Sequence, residues 1–355
     1  MIHKPGIYFG LPAEEYHADQ SLSKSGIAKL LDSPEQFWHE SWMNPDRPAE
    51  DPSKAVERGT LWHCRILEST EFNKRYKIAP WCLEGFSDNY RVLKTVQDMK
   101  DYLTEGGVEF KSSGNKRYFE DMIIGSEGVF LEDYEKEKME EAAKIGGQTL
   151  LYSKEIVDDM LFAERKMREH PYFSKVFKKG QAEVSIFWVD DETKIPMKCR
   201  VDMLNPGAIL DYKTISFRRG KSIDRAVLDA IRYERHDIQA AKYTIGVAHA
   251  VNMLNDGTGV IEGDVPGSFI DEFKKQPEKP FGFVFQQSER PCAIRGRRVV
   301  RRGNDIYNVF GAGLFYMQAG IQIYQDYMEK FGPDKPWVDA EGFREIMDNE
   351  IYYNF

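Results

Sequence analysis

Residues 182–215 read AEVSIFWVDDETKIPMKCRVDMLNPGAILDYKTI. Three runs rich in β-branched and aromatic residues stand out: AEVSIFWV (182–189), PMKCRVDML (196–204) and AILDYKTI (208–215). The acidic turn DDET separates the first two, and NPG separates the last two. Short apolar runs joined by such links predict three strands in an antiparallel meander.

Working outward, SIDRAVLDAIR and the strongly apolar HDIQAAKYTIGVAHAVNML predict two helices after the meander. FGFVFQQ (281–287) and CAIRGRRVV (292–300) predict two further strands, and residues 303–330 a long last helix. Before the meander, 154–169 reads as a helix, and so does 57–67. The first forty residues read as a turn-rich opening followed by a helix that Ser23 or Ser25 can cap, with Pro34 permitting a short second one. Residues 43–56 are polar and proline-rich, as a loop would be. The expected fold is α/β of the mixed α+β kind, a central sheet containing the meander and flanked by helices.

The expected segments are 1–84, an N-terminal helical part carrying His63; 85–150, a mostly helical insertion; 151–330, the core; and 331–355, a C-terminal tail. In the insertion, Thr95 and Asp98 are spaced as N-cap and N3 of a helix that Gly106 and Gly107 stop, and KSSGNKRYFEDMI suggests a second helix after an extended link. The pair faintly resembles the helix–extension–helix pattern of DNA-binding modules; the plainer reading is a helical lid or spacer.

The opening MIHKPGIYFGLP shows no secretory signal, and no apolar run is long enough to span a bilayer, so a cytoplasmic protein is expected. Cys64, Cys82, Cys199 and Cys292 are too scattered for a disulfide framework or a zinc site and read as buried thiols. The net charge of −9 argues against indiscriminate nucleic-acid binding, yet basic residues cluster at Arg218, Arg219 and Lys221 and again at Arg295, Arg297, Arg298, Arg301 and Arg302. Local charge decides binding, so an acidic exterior with a basic groove accommodates both observations.

The chemistry concentrates at the ends of the meander strands. A hairpin between Asp202 and Asp211 brings two carboxylates to one end of the sheet, where hard anionic oxygens suit a magnesium ion. Lys213, two residues past Asp211, points to the same face because strand side chains alternate. Its ammonium can hold the attacking water, and its neutral amine can deprotonate it where metal and desolvation lower the lysine pKa. Glu183 opens the first strand and can join the cluster. His63 lies on the 57–67 helix, and Gln239 and Tyr243 are spaced i, i+4 on one helical face. Each has a plainer reading: Asp-x-Lys as a surface ion pair, Glu183 as a solvent-facing strand residue, His63 as a satisfied core histidine, Gln239 and Tyr243 as a polar helix edge.

Taken in order, Gly59 with His63, Glu183, Asp202, Asp211 with Lys213, and Gln239 with Tyr243 resemble the RecB-type branch of the PDDEXK nucleases. The segments GIYFGLPAEEYHADQSLSKSGIAKLLDSPEQFW and REHPYFSKVF further resemble the RecE-type exonuclease domain (exodeoxyribonuclease VIII). The likeness runs over roughly 1–80 and 150–330 and is weak elsewhere. It implies a PDDEXK restriction-endonuclease-like core with His63, Asp202, Asp211 and the Tyr212 carbonyl around two Mg2+ ions, which Mn2+ can replace. It implies that Glu183 supports a metal or its water and that Lys213 positions the nucleophile. Gln239 and Tyr243 would hold DNA, as would Arg218 and Arg219. The implied activity is ATP-independent 5′→3′ degradation of one strand of linear double-stranded DNA for recombination by single-strand annealing. The absence of a Walker A pattern agrees with that. Its implied partners are DNA ends, a RecT-like annealing protein and further copies in a homo-oligomeric ring. Some relatives carry an iron–sulfur cluster on closely spaced late cysteines; here only Cys292 lies late, and no cluster is expected. A structure-specific or single-strand endonuclease and a catalytically silent DNA-binding module are the alternatives.

Overall fold

The computed structural model describes residues 3–48, 54–178, 180–216, 222–302 and 307–338. In chain order its elements are β1 (Gly6–Tyr8), α1 (Ala13–Ala18), α2 (Lys24–Asp32), α3 (Pro34–Glu40), α4 (Lys54–Leu67), α5 (Ser69–Arg75), β2 (Tyr76–Ile78), β3 (Arg91–Leu93), α6 (Val96–Glu105), α7 (Lys116–Ile123), β4 (Val129–Leu131), α8 (Glu132–Ile145), β5 (Thr149–Leu151), α9 (Lys154–Glu169) and α10 (Phe173–Val176). There follow β6 (Gln181–Val189), β7 (Pro196–Asn205), β8 (Ala208–Ile215), α11 (Ile223–Tyr233), α12 (His236–Asp256), β9 (Val260–Glu262), α13 (Gly267–Lys274), β10 (Phe281–Gln287), β11 (Ile294–Val299) and α14 (Val309–Phe331). No described helix is long and apolar enough to cross a membrane.

The chain divides into two compact units. The first comprises residues 1–53, 176–285 and 294–355; the second comprises 54–175 and 286–293. The expected insertion 85–150 lies inside the second unit, which also takes in α4 with His63 and α9.

In the first unit a seven-stranded sheet runs in the order β11-β10-β8-β7-β6-β1-β9. The expected meander is there: β6 and β7 are antiparallel, as are β7 and β8. Two strands go beyond the sequence reading. β1, in what reads as a turn-rich opening, pairs antiparallel with β6, and β9 pairs parallel with β1, which makes the sheet mixed. Each has three residues, too few for an alternating pattern to show.

β6 is nearly continuous in apolar residues because the sheet's centre is covered on both faces. Trp188, Cys199, Val201 and Ile209 join Ile238, Val247 and Val251 of α12 in the main core. Gly246 permits that approach, since a Cβ there would stand 2.7 Å from the Trp188 ring. At Gly313 the backbone of α14 crosses the start of α12, and a Cβ would fall 2.0 Å from the Asp237 carbonyl. The described part of the expected tail is packed: Trp337 is 2% exposed, its ring 5.6 Å from Phe37 and 5.3 Å from Tyr327.

The second unit is held by three small cores. Thr95 and Asp98 form the expected capping box at the start of α6. The segment expected to be mostly helical, 85–150, also contains a short parallel strand pair, β3 with β4, and a second pair joins β2 before it to β5 at its end. All four cysteines are buried and none forms a disulfide.

Candidate active site

The registers of the meander align its acids. On either side of Glu183, Ala182 pairs with Met203 and Val184 with Val201, which sets Glu183 across from Asp202. The β7–β8 register, Met203 with Leu210 and Leu204 with Ile209, sets Asp202 across from Asp211. Directly opposed residues share a face of a sheet. Glu183, Asp202 and Asp211 therefore form one row across three strands, and Lys213 shares the face with Asp211.

The side chains bear this out in detail. Lys213 Nζ lies 2.6 Å from Asp211 Oδ1 and 3.9 Å from Asp202 Oδ2. Asp211 has no exposed surface, and Asp202 is 9% exposed. Asp202 Oδ2 accepts the Tyr212 N–H at 2.8 Å. The Gln239 amide, one turn into α12, donates to Asp211 Oδ2. Tyr243, the next residue on that face of α12, is within electrostatic reach of both Asp211 and Asp202; burial and these neighbours push its phenol well above the usual range and keep it protonated.

Two unit charges about 4 Å apart interact by about 4 kcal/mol at an effective dielectric of 20. Lys213 offsets part of the repulsion between its two carboxylates. Burial opposes its charge, but Asp211 and Asp202 outweigh that and hold its pKa above the ordinary lysine value. In this state Lys213 is a hydrogen-bond donor and not a base.

Three residues at the site carry no mark in the sequence. Arg200, two positions before Asp202 on β7, pairs with the Glu183 carboxylate. Period-two spacing from Asp202 is the only signal that could have found it. Lys24, at the start of α2, donates to the Glu234 carbonyl at 2.6 Å; burial, then the charge of Lys213, push its amine down to about 8. His236 opens α12 at 8% exposure, and burial followed by Lys213 and Lys24 push its imidazole down to about 3, so it is neutral.

Backbone strain marks the same place. Glu183 has φ +53° inside a strand, and Arg235, immediately before α12, has φ +52°. Non-glycine residues in this region cost energy and gather at functional sites.

The remaining expected residues are placed as follows. The Tyr212 side chain is buried at 2% exposure, edge-on to Phe177. His63 is half-buried on α4 of the second unit, between Trp62 and Cys64 of that unit's own core. Arg218, Arg219 and Lys221 lie outside the described residues. In the later basic cluster, Arg295 and Arg297 pair with Asp224 and Arg301 with Glu278. In and beside the helix–extension–helix segment, Arg91 pairs with Glu105, Lys94 with Glu132, Lys116 with Asp133 and Arg117 with Asp121. That segment presents mixed charge.

Carboxylates, a backbone carbonyl and water are the oxygen donors that Mg2+ takes. The opposed pair Asp202 and Asp211, with the Tyr212 carbonyl next along β8, fits such an ion.

A mixed sheet flanked by helices, with two opposed aspartates and Asp-x-Lys within its strands and not at their ends as the sequence suggested, defines a protein of the PDDEXK nuclease superfamily. Residues 23–255 match the family described as a PDDEXK-like domain of unknown function (DUF3799). The match spans well over half of the 355 residues, and the chain belongs to that family. Among solved structures, a Eubacterium rectale protein named "Putative exonuclease" aligns with 97% of this chain and 99% of its own, at 15% identity and a TM-score of 0.48. No curated protein matches the chain.

Proposed function

We propose that the protein is a divalent-metal-dependent, ATP-independent exonuclease of the RecE type, degrading one strand of linear duplex DNA in the 5′→3′ direction. The observation that carries this reading is the row of Glu183, Asp202 and Asp211 across three adjacent strands, with Lys213 beside it. Residue order along the chain, including His63, favours the RecB-type branch.

The reaction is in-line attack of water on a phosphodiester. Asp202, Asp211 and the Tyr212 carbonyl would hold Mg2+, with Glu183 supporting the metal or its water. The bound ions supply Lewis acidity to the attacking and leaving oxygens. Lys213 donates hydrogen bonds to the attacking water and the phosphate, while Asp211 and Gln239 fix its position. Arg200 holds Glu183 at the end of the row. Gln239 and the protonated Tyr243 line the place where the strand lies. Cytoplasmic action on DNA ends, a ring of copies around the duplex and an annealing partner belong to the same proposal.

Digestion of linear duplex labelled at the 5′ or the 3′ end, with Mg2+ and then with EDTA, tests it. Label should leave the 5′ end first, EDTA should stop the reaction, and closed circular duplex should survive. Asp211→Ala and Lys213→Ala should abolish cleavage while largely sparing DNA binding. Normal digestion by both variants would refute the site; cutting of closed circles would indicate an endonuclease on the same fold.

A further inference from the structure

We infer that Arg235 and Tyr316 are positioning residues for the reaction: through them α14 fixes the first turn of α12, and with it the Gln239 amide on Asp211. This rests on the nuclease reading and extends it from the sheet to α14. The chain passes from α11 to α12 through Glu234 and Arg235. Arg235 is left-handed, with φ 52° and ψ 44°, at the place after a helix end that glycine usually fills. A side chain strains the backbone there, so an arginine needs compensating contacts. It makes two. Its guanidinium donates to the Asp237 carboxylate at 3.1 and 2.9 Å, and it lies 3.9 Å over the Tyr316 ring. An arginine stacked on a ring is held as a planar group.

Gly313, three residues before Tyr316, is where α14 crosses the Asp237 carbonyl. Residues three apart share a helix face, so one face of α14 meets Arg235 and Asp237 together. From the other side, Lys24 of α2 donates to the Glu234 carbonyl at 2.6 Å. What this clamp holds is the reach of Gln239. It lies four residues past Arg235, about one helical turn, donates to Asp211 Oδ2 and is hydrogen-bonded to His236, whose ring packs against Phe283 and Phe285. Asp211 in turn holds Lys213 Nζ at 2.6 Å. Hydrogen bonds weaken as distance and alignment slip. Slack in the first turn of α12 therefore reaches the Lys213 ammonium through two contacts. Misplacing a group by about 1 Å is enough to lower a rate about a hundredfold.

Arg235→Gly in the full chain separates positioning from folding, because glycine suits the left-handed backbone yet loses both contacts. Tyr316→Ala removes the ring, and Tyr316→Phe keeps it. On linear duplex with Mg2+, the glycine and alanine variants should lose about tenfold in kcat with KM within about threefold, and the phenylalanine variant should restore the rate. In a Gln239→Ala background, Arg235→Gly should change the remaining rate by less than about twofold, since the two substitutions act through one contact. A second readout needs no cleavage. In protein carrying isotope-labelled glutamine, the Gln239 side-chain amide signal is identified by its loss in Gln239→Ala. It should be slow to exchange in the unsubstituted and Tyr316→Phe proteins, and should move toward the position of free glutamine in Arg235→Gly. Unchanged kcat in the glycine variant, a loss that persists in full without Gln239, or an unmoved Gln239 signal overturns the inference. Should the unsubstituted protein cleave no DNA, the nuclease reading fails, and the glutamine signal still decides whether α14 sets Gln239.

Discussion

Asp202 Oδ2 accepts the Tyr212 N–H at 2.8 Å, so a side-chain carboxylate on β7 stands where a regular ladder would offer a main-chain carbonyl to β8. The bond ties the orientation of one acid to the backbone beside the other. It also places the Tyr212 carbonyl in a defined position next to Asp211. Asp202→Asn keeps an acceptor for that N–H and loses the charge, whereas Asp202→Ala loses both. Denaturant unfolding should find the alanine variant less stable than the asparagine one by about 1–3 kcal/mol, with cleavage lost in both. Equal stabilities would mean that the bond contributes nothing.

Divalent cations should stabilise the folded protein because they offset the repulsion within the row. At a concentration of 100 times Kd the gain is about 2.7 kcal/mol, read as a rise in Tm with Mg2+ or Ca2+. Asp202→Ala should abolish the rise, and Ca2+ should stabilise without supporting cleavage. A variant that still responds fully to Mg2+ would place the ion elsewhere.

Glu183 combines φ +53° with an ion pair to Arg200, and the two effects are separable. Glu183→Ala and Glu183→Gly lose the same carboxylate, but only glycine relieves the backbone. The glycine variant should be the more stable by about 1 kcal/mol, while both lose activity. If alanine is as stable as glycine, the strain is absent.

Lys242 lies on α12 with no exposed surface, its ammonium over the Trp188 ring at 4.6 Å. Burial pushes its amine down to about 7 from the ordinary lysine value of 10.5. A folded-state pKa below the unfolded one means that, between those values, the unfolded chain binds more protons. Its contribution to stability is therefore least at and below pH 7 and grows as the pH rises toward 10.5. Lys242→Met should raise the Tm at pH 7 by at least about 4 °C and flatten the rise in stability above that pH. A variant with the parent's pH profile would show that the buried amine is not the titrating group.

Residue order alone was enough to determine the meander, the helices around it and the face shared by Asp202, Asp211 and Lys213. These follow from period-two and 3.6-residue patterns and from turn chemistry, which act over a few neighbours. The three-residue strands β1 and β9 stayed hidden, because their strand character comes from pairing with distant partners. Lys24, Arg200 and His236 stayed hidden for a related reason. A lysine on α2, an arginine in mid-strand and a histidine at a helix start have unremarkable local contexts. The pairing of β6 with β7 put Arg200 beside Glu183, and the packing of α2 and α12 put Lys24 and His236 near the carboxylates, since burial and charge are shared among segments up to some two hundred residues apart in the chain.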